Sequence, residues 1–135
     1  DLDEFPNVIA RYGMIVTFFG TGFDLPMLHR AFPSVRFDHL HLDLCHTLKR
    51  VGYRGGLKKI EKQLGIARGS DTDGLSGWDA VRLWREYQQG RDRSLETLVE
   101  YNREDVVNLE ELAQVAYDKL RLATLSGAGL GELVR

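Results

Sequence analysis

The chain has 135 residues, 43% hydrophobic and 28% charged, with a formal charge of −2; it is long enough for one domain with its own core, and its balance excludes a largely disordered chain. No run of about 18 apolar residues is present, which excludes a membrane-spanning helix, and the lone cysteine, Cys45, excludes an internal disulfide. The charge provides no global pull toward phosphate, and the acidic start Asp1-Leu2-Asp3-Glu4 lacks the order of a secretion signal, so a cytoplasmic protein is expected, with any nucleic-acid contact left to a local basic patch or to metal ions.

Leu2, Phe5, Val8, Ile9 and Tyr12 recur at helical spacing before Gly13, which predicts a helix over 1–12. Met14 to Phe19 is a β-prone run leading into Gly20-Thr21-Gly22, as a buried strand opening into a turn would. A helix should follow, with Asp24 as its N-cap, Pro26 in its first turn and Leu25, Leu28 and Phe32 on its apolar face. Val35 to Asp43 alternates, Leu40 and Leu42 against His39, His41 and Asp43, and predicts a second strand. Asp43 can then cap a helix from Leu44 to Val51.

Leu57, Ile60, Leu64 and Ile66 mark a short amphipathic helix with Lys58, Lys59 and Lys62 outward. Arg68 to Ser76, rich in Gly, Ser and Asp, reads as a mobile loop. Trp78 to Tyr87 is predicted helical, packing through Val81, Leu83 and Trp84. A long helix from about Ser94 to Leu122 follows, and 123–135, with Gly127, Gly129 and Gly131, is expected to be a flexible tail. Strands alternating with helices predict an α/β domain over 1–122.

On a helical wheel with Leu98 at zero, Leu95, Val99, Val106, Leu109, Leu112 and Ala116 fall in one arc that should face the core. Asp105 lies inside that arc, at about −20°, and Tyr101 at its border, at about −60°, whereas Glu100, Arg103, Glu104 and Asn108 fall outside. An inward carboxylate needs a cation or several hydrogen bonds. Tyr101 precedes Asp105 by one turn, so the pair projects from one side of the helix. It fits either a buried Asp bonded in the core beside a packing Tyr or a functional site.

Asp24 has two readings, a helix cap and a ligand beyond the carboxyl end of a strand, where open α/β sheets bind their ligands. His39, His41, Asp43 and His46 invite a transition-metal reading, since two His at i and i+2 on a strand share a face, but no fourth ligand has clear spacing. Lys58, Lys59 and Lys62 suit either a solvated helix face or a phosphate-binding one.

Thr17-Phe18-Phe19-Gly20-Thr21-Gly22-Phe23-Asp24-Leu25-Pro26, His41-Leu42-Asp43-Leu44, Gly56-Leu57-Lys58-Lys59-Ile60-Glu61 and Tyr101-Asn102-Arg103-Glu104-Asp105-Val106, in this order, resemble the ribonuclease H-like superfamily. The resemblance is to its four-carboxylate 3′-5′ exonucleases with a catalytic tyrosine, and most closely to the YprB-type branch. It runs from about residue 1 to residue 120 and implies a ribonuclease H-like fold, a central sheet flanked by helices. It also implies two-metal phosphodiester hydrolysis with Mg²⁺ or Mn²⁺ at the 3′ end of single-stranded DNA or RNA. Asp24 and Asp105 would be metal ligands, and Tyr101 would orient the attacking water. Gly20, Phe23, Lys58, Lys59, Lys62 and Asn102 would contact nucleic acid.

Such proteins carry a first motif, Asp-x-Glu, on a strand upstream of the Asp24 segment, and no such triplet precedes Asp24 here. Phe19 also stands where they often carry Asn. The expectation is a domain without its N-terminal strands and with a partly formed metal site, hence weak catalysis and exposed sheet edge. A non-catalytic module that binds nucleic acid or protein through the retained fold is the alternative.

Overall fold

The computed structural model describes residues 2–127. Met14-Ile15-Val16-Thr17, a flexible apolar residue followed by three β-branched ones, forms β1 (Met14–Thr17). It pairs in parallel with β2 (Leu40–Asp43), Met14 opposite Leu40 and Thr17 opposite Asp43, and the crossover between them carries α2 (Asp24–Ala31). This βαβ unit is the only sheet among the described residues.

Before β1, α1 (Phe5–Ile9) is shorter than the predicted helix over 1–12. The amides of Arg11 and Tyr12 reach back only three residues, to Val8 and Ile9, which closes the helix early. The second strand is also shorter than Val35 to Asp43. Phe37 and His39 are committed elsewhere: the Phe37 ring lies 4.7 Å from that of His29 on α2, and His39 Nε2 lies 2.9 Å from the Ile9 carbonyl. Side chains that alternate in sequence there pack on the flanking helices and leave the ladder to begin at Leu40.

Asp43 caps α3 (Leu44–Arg50), accepting from the Cys45 amide at 3.1 Å. Leu44 and Leu48 from α3, Val51, Ile60 from α4 (Leu57–Leu64), and Leu112 and Ala116 from α6 (Asp92–Leu125) form the core. Gly65, at φ +73°, ends α4 in a left-handed conformation that favours glycine. A reciprocal cap between Ser76 and Asp79 opens α5 (Gly77–Gln88). Gly90, at φ +89°, turns the chain into α6, and α5 packs along its start, where the Ser94 hydroxyl donates to Glu86.

Four expectations change here. Of Val81, Leu83 and Trp84 only Leu83 is buried, because α5 packs chiefly against α6, along one side. The segment 68–76 is not free: Thr72 is 1% exposed and bonded to α6. Because that segment lies against α6, Glu104 is buried although the wheel put it outside. Val99 and Val106 are exposed although the wheel put them inside. α6 runs on through Leu125 with Ala123 buried, so the expected tail does not begin at 123; residues 128–135 of that prediction lie outside the described residues. Met14, Val106 and Tyr117 stand exposed around an open apolar groove beside β1.

Candidate functional site

The turn after β1 is fixed by one carboxylate. Asp43 Oδ1 accepts from the Phe19 amide at 2.8 Å, and Oδ2 accepts from the Thr21 amide at 3.1 Å and the Thr21 hydroxyl at 2.8 Å. Burial works to raise the Asp43 pKa, but the hydrogen bonds from Thr21, Phe19 and Cys45 outweigh it and hold the carboxyl below its ordinary value. The Gly20 amide donates to Thr17 Oγ1 at 3.1 Å, which in turn lies 2.9 Å from His41 Nε2. A Cβ on Gly20 would fall inside van der Waals contact with the Thr17 side chain. Phe19 is held at φ +65°, a left-handed conformation that is strained for a bulky residue. The result is a rigid turn presenting the rings of Phe19 and Phe23, 49% and 61% exposed, to solvent.

Asp24 is the first residue of α2, not its cap. The preceding Phe23 is the cap position, without a side-chain hydrogen bond. The amides of Phe23 and Leu25 are satisfied by the turn carbonyls of Phe19 and Gly20, so the carboxylate has no cap to make. Burial, and then the nearby charge of Asp43, raise its pKa against the opposing effects of its own backbone amide and His41. No salt bridge compensates Asp24 among the described residues.

Asp24, Asn102 and Asp105 face one open cavity of about 230 Å³ with Thr17 and Leu57 in its wall. Asp105 is far from bare. Its Oδ1 accepts from Lys58 Nζ at 2.6 Å and from Arg68 Nη2 at 2.5 Å. The Lys58 ammonium also lies 4.2 Å from the centre of the buried Tyr101 ring. Tyr101 therefore sits behind Asp105, under the cation, and does not line the cavity.

Behind these residues lies an ion-pair network that the sequence did not reveal. Arg68 donates to both oxygens of Glu61, from Nε at 2.8 Å and Nη2 at 2.7 Å, and Asn108 adds a bond to Glu61 at 3.0 Å. Burial would raise the Glu61 pKa, yet Arg68 and Asn108 lower it overall; the same carboxylates hold Arg68 firmly charged. Glu104 accepts from the Gly69 amide at 2.7 Å and from the Thr72 hydroxyl. Arg68 Nη1 is buried without a hydrogen bond, 3.9 Å from Glu104.

Lys58 and Lys62 line a second cavity, of about 510 Å³, between α4 and residues 65–76. Lys59 lies outside it, so the three lysines do not form one outward face, and Lys58 points inward to Asp105. Gly20 and Phe23 belong to the turn next to Asp24. The histidines do not converge on a metal: His41 meets Thr17, His39 meets the Ile9 carbonyl, and His46 lies 3.8 Å from Asp43.

The donor chemistry of Asp24 and Asp105 suits a hard divalent cation such as Mg²⁺ or Mn²⁺. Both face the same space, Asp24 makes no salt bridge, and Asp105 Oδ2 accepts no hydrogen bond among the described residues. They supply two ligands only: no group of three or more His, Cys, Asp or Glu among the described residues could hold a metal ion. No helix of the described chain is long and apolar enough to cross a membrane.

Comparison with curated proteins and with solved structures gave no match. Residues 2–117 match the family model of the RNase H superfamily. With an α/β chain, a parallel strand pair and carboxylates gathered beyond its carboxyl end, this protein belongs to the RNase H superfamily.

Proposed function

We propose that the chain is a metal-dependent 3′-5′ exonuclease-like domain that takes the 3′ end of a single DNA or RNA strand beside Asp24 and Asp105. The observation that carries this reading is the shared cavity of Asp24, Asn102 and Asp105 past the end of β1. A divalent cation held by the two carboxylates would offset phosphate charge and lower the pKa of an attacking water. Phe19 and Phe23 offer exposed rings on which bases stack, and stacking accepts any base. Lys58 and Lys62 meet backbone phosphates, and the Asn102 amide bonds the strand at the cavity wall. Tyr101 anchors the Lys58 end of the site through its ring.

Purified protein incubated with Mn²⁺ and a 3′-labelled single strand is expected to shorten it slowly. Digestion that continues unchanged in the double variant Asp24→Ala, Asp105→Ala would refute the reading.

A second reading, a non-catalytic nucleic-acid-binding module, is favoured by the two cations already bonded to Asp105 and by the absence, among the described residues, of a third side chain placed to hold a metal with Asp24 and Asp105. It predicts salt-dependent strand binding that survives both chelation and Asp105→Ala.

A further inference from the structure

We propose that Lys58 gates the metal site: its ammonium holds Asp105 until a strand phosphate draws it away, so that nucleic acid and divalent cation bind cooperatively. The inference rests on the nuclease reading above and concerns the regulation of that same site.

Lys58 is placed between two spaces. Its side chain lines the cavity between α4 and residues 65–76, while its Nζ bonds Asp105, which lines the cavity of Asp24. An ammonium and a divalent cation compete for the same carboxylate, since each compensates the charge that the other would meet. With Lys58 in place, and Arg68 on the same oxygen, Asp105 has little remaining attraction for a cation. Removing one of the two positive charges restores that attraction.

The two cations differ in their freedom. Arg68 is 5% exposed at its side chain and clamped on both oxygens of Glu61, so it stays. Lys58 is 29% exposed at its side chain, has one carboxylate partner and hangs on a flexible four-carbon stem. A phosphate arriving in the α4 cavity beside Lys62 gives the ammonium a second anion within its reach. Lys58 then exchanges one ionic partner for another, and Asp105 keeps Arg68 alone. No covalent bond changes. The consequence is reciprocal, because a strand that tightens the metal must be tightened by it to the same degree.

The test is Mn²⁺ titration followed by the electron paramagnetic resonance signal of the free ion. It uses the full chain, with and without a single strand protected by phosphorothioate linkages. Without strand, Lys58→Met and Lys58→Gln should bind Mn²⁺ about tenfold tighter than the wild type, within the range of ordinary site-site coupling. Lys119→Met, which removes a positive charge far away over the Tyr53 ring, should match the wild type. Adding the strand should tighten Mn²⁺ on the wild type by about the same tenfold and on Lys58→Met by less than about twofold. Circular dichroism melts establish that both Lys58 variants are folded, and two chemically different replacements guard against a defect in one.

Equal Mn²⁺ affinity in wild type and both Lys58 variants would overturn the gate, as would a strand that leaves wild-type Mn²⁺ affinity unchanged. Failure of the underlying nuclease reading has a different signature. There the wild type binds no strand even with Mn²⁺ present, or Asp24→Asn with Asp105→Asn binds Mn²⁺ as the wild type does, and the gate falls with it.

Discussion

Replacing Asp43 by Asn changes one atom and should unfasten the turn that presents Phe19, Phe23 and Asp24. The carboxylate accepts four bonds, from the amides of Phe19, Thr21 and Cys45 and from the Thr21 hydroxyl. The Asn oxygen can still serve the Phe19 and Cys45 amides, though as a neutral acceptor. Its NH₂ then faces the Thr21 amide, donor against donor, and only the hydroxyl can rotate to accept. The Thr21 amide is only part-buried, so leaving it unpaired costs about 1 kcal/mol, the low end of the range for an unsatisfied donor, and weakening two charge-assisted bonds adds about 1 kcal/mol, so a loss of about 2 kcal/mol is expected. Urea unfolding at pH 7 with an unchanged denaturant slope measures it.

The pH dependence gives a second reading of the same group. The native pKa of Asp43 lies below its ordinary value, so as pH falls the unfolded chain takes up the proton first. Its contribution is complete above about pH 4 and is lost as pH drops through the native pKa. The gap between wild type and Asp43→Asn should therefore narrow in acid. A loss below about 0.5 kcal/mol at pH 7, or a gap that stays constant down to pH 2, would refute the assignment of this carboxylate as the fastener.

Leu112→Ala should destabilise the fold by about 2–5 kcal/mol in the same urea assay, because Leu112 is fully buried where α3, α4 and α6 meet. Arg68→Met should cost about 3–5 kcal/mol by leaving Glu61 buried and charged, and adding Glu61→Gln to it should recover part of that loss. Phe23→Ala should weaken strand binding by about 1–3 kcal/mol in a fluorescence titration, with Tm unchanged because its ring is exposed.

Local order was readable where a residue acts within its own segment. The β-prone run gave β1 and Asp43 announced the start of α3, whereas the apolar spacing carried the next helix through Ile66 although Gly65 ends it at Leu64. The inward tilt of Asp105 was also readable from the wheel, since 28% side-chain exposure and two cationic partners match a carboxylate turned from solvent. Pairings between segments were not. Nothing local links Arg68 to Glu61 and Asp105, or Thr72 to Glu104, because polarity and glycine content describe a loop equally well whether it is free or clamped. Glu104 was misplaced for the same reason, as a wheel assumes one buried direction and α6 has a second beneath residues 69–72. Asp24 has the sequence of a cap, and only the backbone of the Phe19 to Phe23 turn excludes that role.

α6 carries both Asp105 and Leu112, and this sets an angular phase between the chemistry and the core. Two turns separate them, so they point within about 20° of one another. A single residue inserted between them would swing Asp105 by about 100° and lift it by about 1.5 Å, away from Lys58 and Arg68. A seven-residue insertion would nearly restore the angle but move the carboxylate about 10 Å along the axis. Substitutions between these positions are thus a matter of side chains, whereas the length of the segment is locked: the helix works as a spacer whose rotation and rise must both be correct at once.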